Sequence, residues 1–160
     1  MVAMRKLLLI LIVLTGCATT SGDPAVEVNR VLDDWHRAAA TADEQRYFAA
    51  MAPEFVFLGT DASERWDVAA FRTFAHPYFE KGKAWTFVPH HRNVTVRGDF
   101  AWLDEKLDSA TYGECRGSGV LRRIGGAWKI AHYNLTIPIP NDLAKEVVAR
   151  IRTFSAAPRE

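Results

Sequence analysis

Cysteine is almost missing: Cys17 and Cys115 are the only two in 160 residues. Two thiols cannot build the disulfide framework of a small secreted scaffold, nor a four-thiolate zinc site. Long apolar runs are missing too. The most continuous stretch, residues 7–14, holds eight apolar side chains, well short of the roughly 20 that cross a bilayer. Neither sign of charge dominates, with 20 basic and 19 acidic residues and a net charge of +1. There is thus no basic surplus of the kind that binds nucleic acid. No HxxxH pair, CxxC pair, glycine-rich phosphate loop or GxSxG turn occurs, which removes common signatures of zinc, redox, nucleotide and serine-hydrolase chemistry. His90 and His91 are adjacent on an extended segment, so they would point to opposite faces and chelate poorly. Neither a metal nor a cofactor is expected.

What is present begins at the N-terminus. Arg5 and Lys6 precede the apolar run, and Leu14-Thr15-Gly16-Cys17 follows it at once, the layout of a secretory signal. The last four residues resemble the lipobox of bacterial lipoproteins. The resemblance implies cleavage before Cys17, acylation of that residue, and stable anchoring by two or more acyl chains. Ala18 after the cysteine resembles an outer-membrane address, so the expected location is the cell envelope, lipid-anchored and facing the periplasm. The expected organisation is a signal peptide over residues 1–16, a lipidated cysteine and tether over 17–23, one domain over 24–153 and a disordered tail over 154–160. The tether reaches roughly 15–20 Å when extended. Losing Arg5 and Lys6 leaves 18 basic against 19 acidic side chains, and Cys115 unpaired.

Asp23-Pro24 is a good helix start, and Val28, Val31, Leu32, Trp35 and Ala39 recur at helical spacing, predicting a helix over residues 24–41. Asp43 caps a short second helix that Pro53 stops. Residues 55–59 read as a strand, and Asp67 caps a third helix that Gly82 ends. From residue 84 the period becomes alternating, predicting strands over 85–89, 93–96, 101–110, 117–124 and 128–136, with turns at Arg97-Gly98-Asp99 and Ile124-Gly125-Gly126. Asn141 is expected to cap a last helix. Helices followed by a strand meander make an α+β domain.

This order, with the strings GTDASERW, AWLDE, YGECRGSGVLRR and GGAWKIAHYNLTIPIPND, resembles a SnoaL-like domain of the nuclear transport factor 2-like superfamily. The resemblance covers about residues 24–150. It implies a cone: a strongly curved antiparallel sheet wrapped around the N-terminal helices, with a pocket at its open end and a C-terminal helix after it. Members include isomerases, cyclases, dehydratases and binding or dimerisation modules, so fold alone does not decide the chemistry.

Alternation assigns the candidate residues. On the strand from residue 101, Glu105 shares a face with Ala101, Leu103 and Leu107. Arg116 on the next strand is its expected partner, either in a buried ion pair or as part of a general-base site. On the last strand, Trp128, Ile130, His132 and Asn134 share one face while Tyr133 and Leu135 share the other. His132 is then either a satisfied core histidine or, with Asn134, a pocket residue. The turn carrying Asp61, Arg65 and Trp66 is either a structured corner or a pocket rim. Trp35, Tyr78, Trp85 and Tyr112 can line a site for a flat or cyclic molecule, and the tyrosines can donate to a developing oxyanion.

Three functions remain open. The first is a lipoprotein binding a small, partly apolar ligand. The second is an isomerase, cyclase or dehydratase moving a proton through Glu105 or His132, in which Glu105→Gln should abolish turnover and leave folding intact. The third is a homodimeric interaction module using Tyr133, Leu135 and Ile137 on the outer sheet face.

Overall fold

The structure, a computed structural model, describes residues 22–156. The signal segment, Cys17, most of the tether and residues 157–160 lie outside the described residues. Asp23 accepts a hydrogen bond from the Ala25 amide and Pro24 takes the first helical position, so α1 runs Pro24–Ala40. Asp43 likewise accepts from the Arg46 amide and starts α2, Glu44–Ala49. Strand β1 then opens at Met51 and continues to Leu58, four residues earlier than the apolar run suggests. Pro53 therefore lies inside the strand rather than marking a break. It is tolerated because the pairing of β1 is irregular between Met51 and Val56, where a missing N–H breaks no ladder.

A three-residue strand, β2 (Arg65–Asp67), folds back antiparallel on β1, with Phe57 opposite Trp66. Asp67 then caps α3, Val68–Glu80, by accepting from the Ala70 amide. Gly82 ends it at a φ of 68°, its N–H donating to the Phe79 carbonyl. The rest is the meander: β3 Val88–Arg97, β4 Phe100–Ser109, β5 Gly113–Ile124 and β6 Ala127–Thr136. Of the two segments expected over 85–89 and 93–96, residues 85–87 lie outside the sheet and the remainder forms one strand, irregular between Pro89 and His91. A 3-10 turn, Asn141–Leu143, leads into α4, Ala144–Ala156. Pro140 rather than Asn141 stands at the N-cap of that turn, with no side-chain capping bond, and α4 extends three residues into the stretch expected to be a disordered tail.

The sheet order is β2-β1-β6-β5-β4-β3, with β1 parallel to β6 and every other pair antiparallel. The sheet is curved and does not close. Its inner face buries Phe55, Leu103, Leu107, Cys115, Leu121 and Ile130 against Val28, Leu32 and Trp35 of α1 and Phe71, Ala75 and Phe79 of α3. Arg123 near the β5–β6 hairpin reaches Glu27 at the start of α1 at 2.6 Å, which marks the closed end of the cone. Ala40 at the other end of α1 lies on the wall of a cavity at the open end.

One irregularity decides which side chains enter the cone. Leu121 pairs with Ile130 while its neighbour Val120 pairs with His132, so Ala131 is an extra residue without a partner on β5. This bulge shifts the alternation by one position. Trp128 and Ile130 point inward, and beyond the bulge Tyr133 (2% exposed) and Leu135 (8%) do so in place of His132 and Asn134. The expected outer-face contact through Tyr133 and Leu135 is therefore corrected: both belong to the core. Ile137, just past the strand, is 40% exposed.

Candidate functional site

A cavity of about 460 Å³ opens at the mouth of the cone. Its walls come from the end of β1 and the turn after it, from one face of α3, from residues 83–87, and from the β4–β5 turn. Trp66 stacks on Phe74 at 4.6 Å between centroids, and Phe71 stacks on Phe57 at 4.4 Å. Residues 84–87 leave the sheet and place Trp85 and Phe87 on the wall. Hydroxyls of Thr60, Thr86, Ser109 and Thr111 interrupt the apolar surface, and Glu64 and Lys83 are the charged side chains among the lining residues. Of the residues expected from sequence, Trp66, Tyr78, Trp85 and Tyr112 are brought together here.

Asp61 and Arg65 are not on this wall. Asp61 accepts from the amide and the hydroxyl of Ser63, at 2.8 and 2.5 Å, and its own amide donates to Glu64. Arg65 is exposed on β2. Asp61 fastens the corner through Ser63, while Glu64 and Trp66 lie on the cavity wall. Gly59 allows the corner to close, because a Cβ there would run into the Glu64 carboxylate.

Behind the cavity lies a void of about 20 Å³, roughly the room of one water. Trp35, His36, Tyr47 and Tyr133 form part of its wall, so Trp35 lies deeper than the mouth. The Trp35 and Tyr47 rings stack at 5.0 Å; the Trp35 indole nitrogen has no hydrogen-bond partner, and the Tyr47 hydroxyl faces Trp85.

Glu105, 1% exposed, is the centre of a buried polar knot. Its Oε1 accepts from His36 Nε2 at 2.9 Å and from the Tyr133 hydroxyl at 2.6 Å, and its Oε2 accepts from Arg92 Nε at 2.7 Å. A carboxylate can only accept, so His36 carries its proton on Nε2. Arg92 Nη1 continues to Asp33 at 2.8 Å and to the Asn29 carbonyl and side-chain oxygens. Burial alone would raise the Glu105 carboxyl. The His36 hydrogen bond and charge, then Arg92 and Tyr133, outweigh it and hold the group down to about 2. Burial, reinforced by the Glu105 charge, pushes the Tyr133 hydroxyl well above its usual range, so it stays a donor. A carboxylate engaged by three donors is a poor proton acceptor. The knot ties α1, β3, β4 and β6 together, and Glu105 itself is not on the cavity wall.

The expected partner of Glu105 is corrected by this geometry. Arg116 pairs across the strands with Lys106 and is exposed on the outer face, while Glu105 faces Gly117. Arg92 takes the role, directly opposite Glu105 on β3. His132 and Asn134 are half-buried on the outer face, neighbours of Val120 and Ser118. Replacing Arg116, His132 or Asn134 by alanine should change stability by no more than about 1 kcal/mol and leave any cavity ligand bound. Thermal melts and a bound-ligand mass check this; a loss of ligand in the His132 or Asn134 variant would return those residues to the site.

Two signals in the sequence pointed to the knot. Counting back from the tight turn at Gly98-Asp99 places Arg92 opposite Glu105. Asn29, Asp33 and His36 also recur at helical spacing beside the apolar stripe of α1. Glu64 and Lys83 carried no comparable mark. Among the described residues, no group of three or more His, Cys, Asp or Glu side chains is placed to hold a metal ion.

Comparison with known proteins fits this architecture. A family model described as a SnoaL-like domain matches residues 28–140. An NTF2-like protein of unknown function from Pseudomonas putida is similar in structure at a TM-score of 0.62 and 18% identity, covering 75% of this chain and 92% of that one. An NTF2-like protein from Cytophaga hutchinsonii gives 0.61 and 13%, covering 72% and 99%. A cystatin-like fold protein from Burkholderia xenovorans gives 0.61 and 22%, covering 74% and 95%. At these identities the likeness concerns the fold. No curated protein matches the sequence.

Proposed function

Because the chain belongs to the SnoaL-like domain family, matched across residues 28–140, we propose that it binds a small, flat, partly apolar molecule in the mouth cavity. The observation that carries this reading is the cavity itself, about 460 Å³ with stacked aromatic rings on its walls and a few hydroxyls between them. That size and lining suit a ligand held by face-to-face packing and oriented by a small number of polar contacts. Lys83 offers an ammonium group to an acidic substituent, and Glu64 offers a carboxylate.

Proton transfer has less support. The carboxylate that sequence favours, Glu105, is engaged by three donors behind the cavity. An isomerase or dehydratase in this mouth would draw on Glu64, Lys83, Tyr78 or Tyr112 instead. The segment Leu14-Thr15-Gly16-Cys17, outside the described residues, supports a lipid-anchored protein of the cell envelope.

The test is native mass spectrometry of the chain extracted from membranes in mild detergent, compared with its denatured mass. The expected result is a small molecule lost on denaturation, together with acyl mass on Cys17. Phe74, 40% exposed, can be truncated without opening the core. Phe74→Ala should therefore carry about a fifth as much of the molecule, from the roughly 1 kcal/mol an aromatic pair contributes, with the melting point lowered by only a few degrees for the lost Trp66 stack. An empty wild-type cavity that also takes up no aromatic probe would remove the binding reading, and a denatured mass without acyl chains would remove the anchor.

A further inference from the structure

Helix α4 has no place in the cone. The family match ends at residue 140, and α4 (Ala144–Ala156) packs to any extent only on the 3-10 turn before it. Val147, Val148, Ile151 and Phe154 share one of its faces with Ala144. Val148 is 44%, Ile151 54% and Phe154 74% exposed. A 13-residue helix standing alone in water is only marginally stable. Something must cover that face.

The charges indicate what. With about 3.6 residues per turn, the apolar side chains occupy a stripe roughly 120° wide. Arg150 borders it on one side, and Lys145 and Arg152 border it on the other. Glu146, paired with Arg150 at 3.0 Å, and Thr153 lie on the far side. Cations along both edges of an apolar stripe can lay their stems along it while their heads reach anionic groups. A second α4 packed on the same face would instead bring these like charges together.

We propose that α4 is a membrane-surface helix, lying with its apolar face at the headgroup boundary of an anionic bilayer and its flanking cations on the lipid phosphates. The proposal is independent of any ligand in the cone. It also stands without acylation of Cys17, which would only bring the helix closer to its surface.

The experiment uses the membrane-extracted chain with Phe154→Cys, labelled there with an environment-sensitive fluorophore; Cys115 is buried, and where Cys17 carries no acyl chain it is replaced by serine so that the label stays on residue 154. It is reconstituted with phosphatidylcholine vesicles with or without phosphatidylglycerol, and with brominated lipid as quencher. The expected result is a blue-shifted emission, most of it lost to bromine, in the phosphatidylglycerol vesicles alone. Ile151→Asp should abolish both signals. A combined Lys145→Gln, Arg150→Gln, Arg152→Gln variant should weaken insertion about 100-fold, from roughly 1 kcal/mol per basic residue. These positions are exposed, so the cone should fold in every variant, as its melting point will show. A label that stays in water beside anionic vesicles overturns the proposal, and so does equal insertion without phosphatidylglycerol. A blue shift without vesicles at twice the monomer mass overturns it in favour of a second copy. If the chain lacks acyl mass, the anchor reading fails separately, and the helix must bring the chain to vesicles unaided.

Discussion

Replacing Glu105 by glutamine is expected to lower the unfolding free energy by about 3–5 kcal/mol, because it breaks a buried ion pair and strands its partners. For a domain of this size that is a fall of roughly 10–15 °C in the melting midpoint. The glutamine amide has one accepting oxygen: turned toward Arg92 Nε, which holds Oε2 at 2.7 Å, it presents its NH2 to His36 and Tyr133, and turned toward those two it presents the NH2 to Arg92. Whichever way it turns, a buried donor loses its acceptor. The enzyme reading of the sequence implied that this variant would fold normally and lose only a reaction; the buried knot instead predicts a loss of stability.

The pH dependence carries a sign. The folded carboxyl sits at about 2, below its ordinary 4.5, so its contribution is complete above about 4.5 and is lost as pH falls toward 2. Acid unfolding of the wild type should show this proton uptake between those values, and the glutamine variant should lack it. A loss under about 1 kcal/mol, with an unchanged acid profile, would mean that the knot contributes little to folding.

Gly117→Ala is the second large effect. Gly117 lies on the inner face, opposite Glu105 on one side and Leu135 on the other. A Cβ there would overlap the Tyr133 hydroxyl, lie 2.7 Å from Tyr133 Cζ and 3.0 Å from Glu105 Cγ. Tyr133 has little room to yield, since its ring meets Trp35 edge-on at 4.7 Å and its hydroxyl is bonded to Glu105. Overpacking of this kind costs about 1–3 kcal/mol. Breaking the Tyr133–Glu105 bond adds about 1.5–3 kcal/mol, because the acceptor is charged. Adding Tyr133→Phe removes the atom the new methyl meets first. The double variant should therefore be less destabilised than the sum of the two single ones. Strict additivity in denaturant melts would show that the methyl is accommodated elsewhere.

The helices and the meander were legible because their signals are local. Asp23, Asp43 and Asp67 cap where capping side chains are expected, and the alternation along β4 holds from Ala101 to Leu107. The site was legible in part. Trp66, Tyr78, Trp85 and Tyr112 reach one cavity because large aromatics near strand and helix ends have few other places to go. His132 and Asn134 were misplaced because one extra residue, Ala131, reverses the face of everything after it. A bulge is a pairing event between strands, and a single strand's pattern does not reveal it. Arg116 was misplaced by one position for a related reason: proximity in sequence stood in for register, which the short turn at Gly98-Asp99 would have supplied.

The knot also divides the cone into two regimes. Its rear is fastened by short, directional bonds from α1 to β3, β4 and β6, each of which tolerates little sliding. The front is different. α3 meets β1 and β2 through ring faces, Phe71 on Phe57 and Phe74 on Trp66, and its polar ties, Arg72 and His76 to Glu44, run to α2 on the surface. Ring-face packing is less directional than a hydrogen bond. The two walls are therefore specified differently: fixed donor–acceptor pairs set the back, and the shapes of stacked side chains set the front.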